Sequence, residues 1–106
     1  MRLLIVNVNL NASTIEGCQG IQRALLALVP AATIRIEHWS ELPETWFSDE
    51  RWDAVVLGPN ETPFPAYPPA FKDFLHEVSR RTKPMLGICG GHQVLGLAFG
   101  SEVGPV

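Results

Sequence analysis

Apolar residues along the chain fall into four short runs separated by stretches of helical spacing. Leu3-Leu4-Ile5-Val6-Asn7-Val8 and Asp53-Ala54-Val55-Val56-Leu57-Gly58 are nearly continuous, as expected of strands buried on both faces. Thr33-Ile34-Arg35-Ile36-Glu37 alternates, the pattern of an edge or half-buried strand. Pro84 opens a fourth run, Met85-Leu86-Gly87-Ile88, which ends abruptly at Cys89. Between the first two strands, Ile21, Leu25, Leu28 and Val29 recur at helical spacing, thickened by Ala24 and Leu26, until Pro30 stops the helix. Asn9 to Thr14 is turn chemistry, with Ser13 or Thr14 placed to cap that helix and Glu16 near its positive end.

A second helix is predicted from Ala70 to Arg81. Phe71, Phe74, Leu75 and Val78 form its apolar face, and Lys72, Asp73, Glu77 and Arg80 face water. A third apolar stretch of helical length runs from Val94 to Phe99. Ser40 to Arg51 reads as a loop or short irregular helix, and Trp39, Trp46, Phe47 and Trp52 are expected to pack this long connection against the sheet. Gly58 to Pro69 is a proline-rich loop. Strands alternating with helices imply right-handed βαβ units around a parallel sheet, an α/β fold. In such sheets ligands sit beyond the carboxyl ends of the strands. Cys89, the loop after Gly58 and the loop after Val8 all belong at that edge.

Composition narrows the function classes. With 106 residues there is room for one domain at most. A net charge of −3 supplies no basic field for nucleic acid and no polybasic surface for a membrane. No apolar run approaches the ~18–20 residues that span a bilayer. Asn7, Asn9 and Asn11 interrupt the apolar start, so it does not read as a signal peptide. The expected location is cytoplasmic, and Cys18 and Cys89 suit a reducing compartment. Glu16, Glu37, His38 and His92 show no metal-ligand spacing, so neither a metal nor a cofactor is expected. His38 and His76 read as solvated surface residues.

The densest candidate chemistry is Gly87-Ile88-Cys89-Gly90-Gly91, where the fourth strand meets the third helix. This is the pattern of a nucleophile elbow, a sharp strand-to-helix turn with a nucleophile at its apex. Such a turn holds its apex in sparsely populated backbone space, and side chains at the neighbouring positions would clash. The Gly90 N–H and the positive end of the helix would both favour negative charge beside Cys89. A lone Cys in an apolar stretch also packs as a small hydrophobe, and a Gly-rich turn into a helix also cradles phosphate. Spacing alone leaves these readings open.

Gly87-x-Cys89-x-Gly91-x-Gln93, after an apolar strand and before Leu95-Gly96-Leu97-Ala98-Phe99-Gly100, resembles the glutaminase domain of class I glutamine amidotransferases. The resemblance implies a flavodoxin-like, three-layer parallel sheet and glutamine as substrate. Cys89 would attack the side-chain amide of glutamine, and ammonia would pass to a synthetase partner. Gly90 would supply one oxyanion N–H and Gln93 would contact substrate. The second oxyanion donor would come from the loop after the third strand, here Gly58-Pro59-Asn60. Because Pro59 has no N–H, Gly58 or Asn60 must provide it. The family's general base is a His in a His-x-Glu pair downstream of the Cys, and no such pair occurs in the sequence. His92, three residues along the departing helix, cannot easily turn its ring back to the thiol. Residues 1–106 are therefore expected to be the amino-terminal part of a single domain, its sheet incomplete at the C-terminus and inactive on glutamine by itself. Two other readings stand beside this one. The first is a γ-glutamyl or other Cys-elbow hydrolase, such as a member of the DJ-1-like group. The second is a non-catalytic half-domain that binds a complementing chain.

Overall fold

A computed structural model of the protein describes residues 1–100. Four parallel strands form one sheet: β1 (Arg2–Asn7), β2 (Thr33–His38), β3 (Ala54–Leu57) and β4 (Met85–Gly87), in the order β2-β1-β3-β4. Three α-helices connect or follow them: α1 (Glu16–Leu28), α2 (Ala70–Ser79) and α3 (Gly90–Ala98). The continuous apolar strands occupy the centre. Leu3 pairs with Ile34 on one side and Ala54 on the other, and Ile5 with Ile36 and Val56. The alternating strand β2 lies at one edge and β4, paired through Val55–Met85 and Leu57–Gly87, at the other.

Strand side chains alternate between faces, and the core divides accordingly. Ile5 and Val56 point to the α1 side, where Cys18, Ile21 and Leu25 cover them. Leu4, Val6, Val55 and Leu57 point the other way and meet Phe71, Phe74 and Val78 of α2 and Val94 of α3. The result is a three-layer, flavodoxin-like α/β arrangement. Trp39, Trp46 and Phe47 join the second cluster from two short 3-10 turns, and the half-buried Trp52 packs against it. Trp46 stacks on Phe74 with ring centroids 5.5 Å apart. The aromatic run is thus core that closes a long connection over the sheet.

The structure departs from the sequence pattern at several points. Neither Ser13 nor Thr14 caps α1. Ile15 occupies the N-cap with no side-chain hydrogen bond, because the Thr14 carbonyl is drawn inward by Asn7 and Asn9. The end of α1 overhangs the core, leaving Leu28 80% exposed and Leu26 and Val29 at the surface. Glu77 is half-buried rather than fully solvated, and desolvation raises its carboxyl pKa. His38 is buried rather than solvated. The last residue of β2 places it under the loop after β1, where Nε2 donates to the Asn9 carbonyl over 2.7 Å. No helix among the described residues is long and apolar enough to cross a membrane. The expectation about the C-terminal end of the sheet reaches into residues 101–106, outside those described.

Candidate active site

The turn between β4 and α3 is built by close backbone approach. The Ile88 N–H donates to the Leu57 carbonyl over 2.9 Å, tying the turn to β3. Cys89 then takes φ 53° and ψ −112°, a combination outside the left-handed helical well that costs a non-glycine residue ~1–3 kcal/mol. Around it, side chains have no room. A Cβ on Gly87 would sit 2.6 Å from the His92 nitrogen, and one on Gly91 2.5 Å from the Leu57 carbonyl carbon. A Cβ on Gly90 would overlap the Asn60 side chain and come within 2.8 Å of the Asn60 nitrogen. The glycine spacing is therefore a packing requirement of the turn. It leaves the Cys89 thiol free and exposed at the start of α3.

The loop after β3 meets this turn. The Gly58 N–H is taken by the Val6 carbonyl at 3.0 Å, as an extension of the strand ladder. Pro59 has no N–H. The Asn60 N–H donates to no other described residue, and neither does that of Gly90. Both N–H groups are thus free among the described residues, and the Asn60 nitrogen lies close to Gly90, the residue after Cys89, within 2.8 Å of where a Gly90 Cβ would be. The Asn60 side-chain amide donates to the Thr62 carbonyl and, over 3.4 Å, to the Tyr67 hydroxyl. Tyr67 in turn donates to the Val8 carbonyl. Gln93 and His92 are exposed on the first turn of α3, and their N–H groups bond back to the Cys89 carbonyl.

Behind the loop is a polar hub that the sequence pattern did not single out. Asn7 and Asn9, 1% and 4% exposed, hydrogen-bond to each other at 2.8 Å. They also reach the Thr14 carbonyl and, through Asn9, the chain on both sides of Asn60. The available signal was two asparagines where a doubly buried strand runs out, since buried amides demand partners. Cys18 is a different kind of cysteine from Cys89. It is fully buried, and burial pushes its thiol up to about 11. A Cβ on Gly58 would lie 2.8 Å from its sulfur, so Cys18 packs beneath the β3 loop. On the α1 side of the same edge a cleft of about 320 Å³ is lined by Asn9, Ser13, Thr14, Glu16, Gly17, Pro59 and Glu61. Among the described residues, no three His, Cys, Asp or Glu side chains gather as metal ligands would.

The chain belongs to the class-I glutamine amidotransferase family, whose model matches residues 19–105. Among curated relatives it is similar to a putative aminodeoxychorismate synthase of Schizosaccharomyces pombe, 30% identical over 68% of this chain and 10% of that protein. It is also similar to anthranilate synthase component 2 of Leptospira biflexa, 37% identical over 59% of this chain and 32% of that one. A third relative is a glutamine-hydrolyzing GMP synthase subunit of Ignicoccus hospitalis, 46% identical over 51% of this chain and 28% of that one. The aligned part of the chain thus spans a tenth to a third of these relatives' lengths. No solved structure matches it significantly.

Proposed function

We propose that residues 1–106 act as the amino-terminal part of one glutaminase domain, with Cys89 the nucleophile of an elbow that attacks glutamine. The Cys89 sulfur adds to the side-chain carbonyl carbon, and the developing oxyanion accepts hydrogen bonds from the Gly90 and Asn60 N–H groups. Collapse of the tetrahedral adduct breaks the C–N bond, ammonia leaves, and a γ-glutamyl thioester remains for water to hydrolyse. Gln93, one turn along α3, contacts the glutamine. The sequence holds no His-x-Glu pair. The base that takes the thiol proton and returns it to the leaving ammonia therefore comes from another segment or chain. The names of the relatives suggest a synthetase as the recipient of ammonia. Two free cysteines accord with a cytoplasmic setting.

The observation that carries this reading is the pairing of a strained, exposed Cys89 with two unpartnered N–H groups. The N–H of Gly58 is spent on the strand ladder, which leaves Asn60 as the second donor. The test is ammonia release from glutamine by the protein as its cell makes it, for wild type and Cys89→Ser, with γ-glutamyl peptide cleavage measured alongside. Loss of ammonia release in Cys89→Ser is expected. Undiminished release would overturn the assignment, and preference for γ-glutamyl peptides would favour the hydrolase alternative.

A second reading has its own support. β4 is an edge strand with Leu86 60% exposed, and Phe99 at the end of α3 is 56% exposed. An apolar edge of this kind favours association with a complementing chain. Sedimentation as a dilute monomer would count against it.

A further inference from the structure

The donor proposed at Asn60 belongs to a loop, and something must hold that loop to within a few tenths of an ångström for the donor to serve. We propose that Asn9 is the positioning residue of this site: it clamps the chain on both flanks of Asn60 and so sets the direction of the Asn60 N–H. The inference rests on the glutaminase reading above.

The geometry is specific. Asn9 Oδ1 accepts the Glu61 N–H at 3.0 Å, one residue after Asn60. Asn9 Nδ2 donates to the Pro59 carbonyl at 3.2 Å, one residue before it. The same amide nitrogen donates to Asn7 Oδ1 at 2.8 Å and to the Thr14 carbonyl at 2.9 Å. With two N–H groups for three acceptors, one bond is shared, and the longest, to Pro59, is the natural partner in that sharing. The Glu61 donor fixes which end of the amide is oxygen.

Asn9 is itself immobilised from behind. Its N–H donates to Asn7 Oδ1 at 3.0 Å, and its carbonyl accepts both His38 Nε2 at 2.7 Å and Trp39 Nε1 at 3.0 Å. Because the Asn9 carbonyl accepts from Nε2, His38 Nδ1 is the acceptor for the Ser40 N–H at 3.3 Å, which sets the imidazole tautomer. The chain Trp39/His38–Asn9–Glu61/Pro59 therefore links the buried end of β2 to the Asn60 peptide that packs against Gly90. Tyr67 holds only the Asn60 side chain and so cannot replace the clamp.

The experiment uses the protein as its cell makes it, as wild type, Asn9→Ala and Asn9→Asp. The aspartate matches asparagine in size and keeps the acceptor for Glu61, but it replaces the amide donor with an oxygen that faces the Asn7, Thr14 and Pro59 oxygens. It therefore tests the donor side of the clamp, and Cys89 alkylation reports whether each variant keeps the site. Active sites are counted by alkylation of Cys89, and kcat and KM for glutamine are measured per alkylatable site. An oxyanion donor acts mainly in the transition state. The expected result is a fall in kcat of about 10–100-fold with KM within about threefold and an unchanged rate of Cys89 alkylation. A merely structural Asn9 would lower the number of alkylatable sites and the melting temperature while kcat per site stayed at the wild-type value, and that result overturns the proposal. A wild type isolated together with the segment or chain that supplies the base, alkylated at Cys89 but releasing no ammonia, overturns the glutaminase reading and this one with it. An active wild type with equally active variants overturns this one alone.

Discussion

Gly91→Ala probes the construction of the turn directly. The added Cβ would lie 2.5 Å from the Leu57 carbonyl carbon and 2.9 Å from Leu57 Cβ, with the carbonyl oxygen nearer still. Carbon contacts are comfortable at about 3.5–4.0 Å, so α3 must retreat from β3 by about 1 Å. That retreat stretches the 2.9 Å bond from Ile88 to Leu57, which contributes about 1 kcal/mol. It also opens a gap at Val94 and Leu57, both fully buried. A gap of that size forfeits a quarter to a half of the local dispersion energy, or about 1–2 kcal/mol for two side chains of this size. The expected loss is about 2–3 kcal/mol, a large part of the ~5–15 kcal/mol that holds a domain together, and about 10–20 °C in Tm. Gly20→Ala is the matched control. Its Cβ would meet only the end of Arg23 at 3.8 Å, inside α1, so it should gain about 0.5–1 kcal/mol from helix propensity. Urea unfolding followed by fluorescence of the buried Trp39 and Trp46 measures both. If Gly91→Ala unfolds within 1 kcal/mol of wild type, the turn has slack and the packing argument fails.

Three further outcomes follow from the same contacts. Cys18, whose thiol burial raises from 9.0 to about 11, binds its proton more tightly folded than unfolded. Its contribution to stability is therefore intact below about pH 9 and is lost as pH rises through 11, by about 2–3 kcal/mol. Urea titrations across that range should show the loss in wild type and a smaller one in Cys18→Ala. Phe74→Ala removes a ring that is 2% exposed and stacked on Trp46, and calorimetry should register about 3–5 kcal/mol of destabilisation. Gln93→Ala, at an exposed position on α3, should raise KM for glutamine about tenfold while leaving Tm and Cys89 alkylation unchanged.

Where the sequence pattern was informative, the reason was local. The nearly continuous apolar runs of Leu3–Val8 and Asp53–Gly58 marked strands buried on both faces, and the alternation of Thr33–Glu37 an edge or half-buried strand, which the sheet places at its edge. The glycines around Cys89 announced a turn without room for side chains, and the backbone collisions at positions 87, 90 and 91 account for each of them. What was illegible depends on partners distant in sequence. His38 lies outside any apolar pattern, and only the pairing of Asn7 with His38 across the sheet brings it beneath Asn9. Asn7 and Asn9 looked like interruptions because their partners, Thr14, Pro59 and Glu61, come together only after folding. Ser13 and Thr14 had capping chemistry, but the hub competes for the Thr14 carbonyl and displaces the cap. The exposed turn containing Leu28 followed the helical period as well as Ile21 and Leu25 did. Periodicity does not reveal where the sheet beneath a helix ends.

The most direct measurement of the central claim is covalent labelling with a diazoketone analogue of glutamine: the diazo carbon takes up the thiol proton, and the sulfur displaces nitrogen from it to form a thioether. Peptide mass mapping should find one adduct, on Cys89 and not on the buried Cys18, formed more slowly when glutamine is present. Labelling of Cys89 that glutamine does not slow, or labelling of Cys18 at an equal rate, would contradict the assignment of Cys89 as the nucleophile of a glutamine site.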